Sequence, residues 1–212
     1  MTSKKKPLKR SGGDVEDLNM MLAFSDIYEM LEGKIDQRKI YLFTDIDPTS
    51  MQSVISHIHF MEEKDSKSDI DLYINSDGGY VLDSLALIDV MDASPCDIRT
   101  IVVGRAASAA CLIASNGTRG KRFAGKNSEF MYHQSMGDLE DVRLSDMKYW
   151  TNEMKRIEEK CNKIFQKNTE QDINVIREMF LSDPMDKWMN SKGSKDFGII
   201  DHIITKTNLR TK

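Results

Sequence analysis

No stretch of this 212-residue chain reaches 18 consecutive apolar residues, so nothing in it predicts a membrane-spanning helix. The first ten residues are basic (Lys4, Lys5, Lys6, Lys9, Arg10), but no apolar stretch follows them, and a secretory signal is not expected. Cysteine is scarce and odd in number: Cys96, Cys111 and Cys161 show no CxxC spacing. That argues against a disulfide framework and a zinc site, and predicts a reducing, cytoplasmic compartment. No internal repeat or low-complexity segment stands out. A basic face is also missing. The net charge is −4 although five positive charges and no acidic ones sit in residues 1–10, so the body of the chain is more acidic still. A nucleic-acid-binding role is therefore not expected. What is present, 40% apolar and 30% charged residues at a mean hydropathy of −0.48, fits a soluble globular protein with a sizeable core.

Residues 1–19 read as a flexible basic arm, and residues 20–205 as one domain followed by a polar tail over 206–212. An amphipathic helix is expected around Met20–Glu32. Strand-like and helical segments then alternate: a strand at Lys39–Phe43, a helix at Thr49–Glu63, a strand at Asp69–Asn75 and a helix at Tyr80–Met91. A buried strand follows at Ile98–Val103, a helix of small apolar residues at Ala106–Ala114 and a short strand at Glu129–Tyr132. This rhythm predicts an α/β domain with a largely parallel sheet. A long helix is expected over 140–168. Its apolar positions Met147, Trp150, Met154, Ile157, Cys161 and Ile164 step alternately by three and four, a narrow seam suited to another helix. A last strand is expected near Gly198–Ile204.

Three strand-to-helix or strand-end positions carry chemistry. Asn75-Ser76-Asp77-Gly78-Gly79 has two glycines that let backbone N–H groups approach a ligand, an anion or a developing oxyanion; an ordinary tight turn reads the same way. At Gly104-Arg105-Ala106-Ala107-Ser108-Ala109-Ala110, Ser108 is a lone hydroxyl among small residues, a nucleophile or a helix cap. It does not sit in a GxSxG elbow, because Ala106 and Ala110 occupy the glycine positions. At a strand end, His133 in Met131-Tyr132-His133-Gln134 is the natural base for such a serine. His57 and His59 are two apart on a predicted helix, diverge, and suit surface or packing roles. For an acid to orient His133 the candidates are Asp172, Glu178, Asp183 and Asp186. The apolar Met179-Phe180-Leu181 beside Glu178 predicts that Glu178 is partly enclosed.

DIDLYINSDGG (69–79), GRAASAACLIASNGTRGKRFAGKNSEFMYHQ (104–134) and FGIIDHII (197–204) together resemble the ClpP family, the proteolytic subunits of ATP-dependent Clp proteases. The likeness runs over about residues 24–205, with the pieces in the family's order. It implies the ClpP/crotonase-type α/β superhelix of βαβ units with a long protruding handle helix, here the seam-bearing 140–168. It implies a serine endopeptidase with Ser108 as nucleophile, His133 as general base and Glu178 at the acid position, and with the N–H groups of Gly79 and Ala109 as oxyanion hole. Gly78, Tyr80 and Val81 would pair with an extended substrate strand. Arg177, Trp150, Met154 and Ile157 would make oligomer contacts. The implied assembly is two stacked seven-membered rings, fed with unfolded polypeptide by an AAA+ unfoldase, with no metal or organic cofactor in the peptidase and ATP used only by that partner.

The chain departs from the family pattern. Glu178 stands where the family has aspartate, and its extra methylene moves the carboxylate by about 1.5 Å. Asp77 and Ser135 stand where prolines are usual, and extra residues occur around Gly33–Gln37 and between Ser182 and Gly198. These departures keep other readings in view: a structural ring subunit with weak or no activity, a viral head-maturation protease of the same fold, and an acyl-CoA-binding crotonase relative.

Overall fold

The structure is a computed structural model that describes residues 38–134, 136, 143, 145–181, 187–206 and 208, with the side chains of 179–181 left aside. The predicted arm, the helix at Met20–Glu32 and the segment around Gly33–Gln37 lie outside the described residues, as do Ser135, Asp183, Asp186 and most of residues 137–144.

The elements run β1 (Lys39–Leu42), α1 (Pro48–Lys64), β2 (Ile70–Ser76), α2 (Val81–Ala93), β3 (Ile98–Ala107), α3 (Ala109–Ser115), β4 (Arg122–Ala124), β5 (Glu129–Tyr132), α4 (Met147–Thr169), α5 (Ile173–Leu181), β6 (Lys187–Asn190), α6 (Ser191–Phe197) and β7 (His202–Ile203). The strands form one sheet, ordered β1-β2-β3-β4-β7 and parallel throughout. β3 is long enough to hold two partners on one side. Its first half pairs with β4 at Thr100–Val102 and its second half with β5 at Arg105–Ala107. β6 then adds to β5 antiparallel. This is the α/β architecture the alternation predicts.

Local chemistry sets the element ends. α1 starts at a capping box, in which Asp47 accepts from the Ser50 N–H and Ser50 Oγ accepts from the Asp47 N–H, with Pro48 in the first turn. Met51, Val54, Ile58 and Met61 make its buried stripe. In the sheet, Ile40, Leu42, Leu72, Ile74, Thr100, Val102 and Ala124 point to one buried face, as period-two alternation requires. Across the sheet's far end, Arg122 is buried and binds Asp201 through Nε (2.9 Å) and Nη2 (2.6 Å). Its Nη1 also donates to the Ser115 and Asn168 carbonyls, so one guanidinium ties β4, α3, α4 and the approach to β7 together.

Several boundaries differ from expectation. The helix expected from Ala106 begins at Ala109, because β3 continues to Ala107 in order to meet β5. α4 is described from Met147, not 140. The last strand shrinks to His202–Ile203, since Gly198 instead closes α6 in a left-handed cap. β6 and α6 fall between Ser182 and Gly198, and Asn190 caps α6 by accepting from the Gly193 N–H.

Candidate active site

The parallel strands bring their carboxyl ends to one edge, where open α/β sheets place ligands. β2 delivers the glycine turn, β3 delivers Ser108, and β5 delivers His133 to that edge. Ser108 sits between strand and helix at φ 53°, ψ −125°, a conformation a non-glycine residue adopts only at a cost of about 1–3 kcal/mol. The sharp turn lifts its side chain out of the sheet. Its N–H donates to the Met131 carbonyl at 2.7 Å, which locks β3 to β5 beside the hydroxyl. Just past the end of β5, His133 Nε2 lies 2.7 Å from Ser108 Oγ. That is hydrogen-bond distance for a base and the hydroxyl it would deprotonate.

The glycine turn is held by Ile46. Ile46 N–H donates to the Gly78 carbonyl (2.7 Å), and the Tyr80 N–H donates to the Ile46 carbonyl (2.9 Å). In an extended segment, alternate residues turn their amides to opposite edges, so Gly79 between them points its N–H away from Ile46, toward the cleft. A side chain cannot replace hydrogen there: Gly79 has φ 148°, and a Cβ would come within 3 Å of the Ile46 backbone. The opposing wall supplies the Ala109 N–H, which starts α3 and so has no carbonyl one turn earlier to bond. Gly78 and Tyr80 are more committed. The Gly78 N–H donates to Ser76 Oγ, and the Tyr80 carbonyl accepts from the Ser84 N–H. Of the residues expected to pair with a substrate strand, Val81 lines the cleft and Gly78 and Tyr80 do not.

The cleft holds about 270 Å³ and is lined by Asp77, Gly79, Ser108, Ala109 and His133, with Val81, Leu112, Met131, Tyr132 and Cys161 as apolar wall. That is at the small end for a binding pocket and suits a side chain rather than a large cofactor. Two elements deepen it. Tyr132 stacks on Phe165 of α4, centroids 4.8 Å apart and rings within 5° of parallel, and Cys161 from the same helix makes part of the wall. Cys161 is a competing nucleophile on paper, but burial pushes its thiol up to about 11 and keeps it protonated near neutral pH. Neither the stack, nor Cys161 as wall, nor Ile46 as clamp was singled out from the sequence; the heptad seam marked Cys161 only as a packing position. Asp77 forms a 2.8 Å ion pair with Arg105 at the rim.

The expected acid is placed differently. Glu178 is exposed on α5 and is not among the residues lining the cleft, contrary to the enclosure its apolar neighbours predict. Asp172 is also exposed and accepts from the Asn174 N–H. Arg177 pairs with Glu159 of α4 at 2.7 and 2.8 Å. On α4, Trp150 is 44% exposed, Met154 and Ile157 are half-buried and Cys161 is buried, so the seam sinks into the protein only in its second half. His57 is half-buried, with Nδ1 donating to the Ser53 carbonyl oxygen of its own helix at 2.8 Å, and His59 is exposed. Among the described residues no His/Cys/Asp/Glu cluster could hold a metal, and no helix is long and apolar enough to cross a membrane.

The Clp protease family model matches residues 21–207. Two curated relatives, the ATP-dependent Clp protease proteolytic subunits of Streptococcus agalactiae serotype V and serotype III, are each 34% identical over 186 residues, covering 87% of this chain and 92% of theirs. A glycine turn, a strained serine and a histidine meeting at one sheet edge, in a chain matched almost end to end, place this protein in the Clp protease family.

Proposed function

We propose that the chain is a serine endopeptidase that cleaves unfolded polypeptide within an oligomeric ring chamber. The observation that carries this reading is the 2.7 Å contact between Ser108 Oγ and His133 Nε2 in a cleft walled by the Gly79 and Ala109 amides. His133 takes the Ser108 proton as Oγ attacks the peptide carbonyl, and the carbonyl oxygen, now negative, rests on the Gly79 and Ala109 N–H groups. The C–N bond breaks as His133 returns the proton to the leaving amine, and a water activated by the same His133 hydrolyses the acyl-Ser108 ester. Val81 and Gly79 offer backbone to an extended substrate, and the apolar wall receives one side chain. By the family likeness, Glu178 is assigned to orient His133. No metal or organic cofactor enters the peptidase step.

The relatives are named as proteolytic subunits of an ATP-dependent protease. By that likeness, we assign this chain to a homo-oligomer of two stacked heptameric rings, built through the exposed first half of α4 with Arg177 nearby, and fed by an AAA+ unfoldase that consumes the ATP. The exposed position of Glu178 favours a second reading, a ring subunit of weak or no activity.

Labelling of the full-length protein by a fluorophosphonate, with Ser108→Ala as control and light scattering in parallel, separates the two. Labelling lost in Ser108→Ala supports the peptidase. A ring-sized mass without labelling selects the structural subunit.

A further inference from the structure

Among the described residues lining the cleft, Asp77 is the one carboxylate, and no lysine or arginine lines it. Its backbone is held on both sides: Ser76 before it pairs with Ala106 in the sheet, and after it the Gly78 N–H donates to Ser76 Oγ at 3.1 Å and the Gly78 carbonyl accepts from the Ile46 N–H at 2.7 Å. The carboxylate is therefore presented from a fixed root. Its partner Arg105 is itself fixed through its N–H to Asn75 Oδ1 at 3.2 Å, but Arg105 does not line the cleft. The pair is thus a dipole with its negative end toward the space where substrate would lie. Both side chains are more than half exposed, 53% for Arg105 and 59% for Asp77, so the pair contributes little to stability and a substrate cation can approach it.

We propose that Asp77 selects the charge of the polypeptide at this cleft, favouring segments with lysine or arginine flanking the scissile bond and disfavouring acidic ones. The proposal rests on the peptidase reading of the same cleft and adds to it a substrate class. A carboxylate a few ångströms from a flanking side chain attracts a cation and repels an anion, and salt screens both effects. Arg105 offsets part of that field. The two residues should therefore act in opposite directions, which a merely structural ion pair would not do.

The test uses the full-length protein and two internally quenched peptides, identical except that the residues flanking the central apolar one are lysines or glutamates. The reading is the ratio of their kcat/KM values, with fluorophosphonate labelling run on every sample. The expected ratio is about three- to tenfold in favour of lysine at ~50 mM salt, falling toward one at ~500 mM. Asp77→Asn should bring the low-salt ratio close to one, and Arg105→Gln should raise it above wild type. Labelling with a ratio near one, with neither peptide cut, or with a ratio that neither substitution moves overturns charge selection while leaving Ser108 activated. Absence of both labelling and cleavage overturns the peptidase reading and the selection together.

Discussion

Gly79→Ala puts the glycine turn under the sharpest test. The added Cβ would meet the Ile46 carbonyl oxygen and lie 2.9 Å from the Ile46 carbonyl carbon and nitrogen, all of them backbone atoms that cannot swing aside. An ordinary carbon contact is about 3.5–4.0 Å, so turn and clamp must separate by roughly 1 Å. An alanine at φ 148° is strained as well, which adds about 1–3 kcal/mol. The separation weakens two hydrogen bonds, Ile46 N–H to Gly78 and Tyr80 N–H to Ile46, each worth about 1 kcal/mol. The expected loss of stability is therefore about 3 kcal/mol. The kinetic loss should be steeper, because a displacement near 1 Å at a reacting centre, or the loss of one oxyanion donor, costs about 100-fold or more. Gly120→Ala is the matched control: φ is 81°, nothing lies within 4 Å of the added Cβ, and the turn is remote from the cleft. It should cost about 1 kcal/mol and leave turnover as it was. Chemical denaturation and peptide kcat/KM read the two effects separately. A Gly79→Ala protein that folds and turns over like wild type would refute the placement of the Gly79 N–H at the reaction centre.

Asp201→Asn leaves the buried Arg122 guanidinium without its anion and should cost about 3–5 kcal/mol in urea denaturation; a loss under 1 kcal/mol would show that the pair does not hold β4 and β7 together. Burial alone would raise the Asp201 carboxyl, but its hydrogen bonds and charge interaction with Arg122 outweigh that and hold it below 3.8. The pair's stabilisation is thus complete above about pH 4 and lost as pH falls through the lower folded value, so a wild-type acid-unfolding midpoint should move up in Asp201→Asn. Phe165→Ala empties a fully buried site beneath Tyr132 and should cost about 3–5 kcal/mol, with labelling of Ser108 slowed because Tyr132 precedes His133; unchanged labelling would uncouple the stack from the site. Trp150→Glu on the exposed part of α4 should lower the mass seen by light scattering, and a wild-type mass would remove that face from assembly. Glu178→Gln should reduce peptide turnover by about tenfold or more if α5 brings this carboxylate to His133, and unaltered turnover would withdraw the assignment.

Much of the fold was legible because its strands and helices bury one face each. Ile70, Leu72 and Ile74 in β2, and Met51, Val54, Ile58 and Met61 in α1, repeat with the period of their element and are buried accordingly. Ser108 and His133 were legible as well, because a lone hydroxyl among small residues and a histidine at a strand end are local patterns. The boundary between them and the sheet was not. Ala106 to Ala110 consists of small residues that fit a strand or a helix alike, and only the pairing of Arg105–Ala107 with β5 decides where β3 ends. β4, with three residues, and the polar β6 and α6 carry too little pattern to register, since sheet partners distant in sequence create them. The Arg122–Asp201 pair spans 79 residues and leaves no periodic trace. The enclosure expected of Glu178 failed for a related reason: an apolar neighbour in sequence need not cover a residue that points to another side of the helix.

α4 joins what the sequence presents as two separate features. The seam that suits another helix and the wall of the cleft belong to one continuous 23-residue element. Its second half is sunk into the protein, with Cys161 in the wall, Phe165 under Tyr132 and the Asn168 carbonyl on Arg122. Its first half carries Met147 and Trp150 at 45% and 44% exposure. A helix transmits a displacement along its axis with little loss, since its backbone hydrogen bonds close within the segment. Phe165 of the same helix stacks on Tyr132, and the next residue of the chain is His133. The exposed end of α4 and the stack beneath Tyr132 thus belong to one element, and a substitution at Phe165 should alter the site even when the exposed end of the helix is untouched.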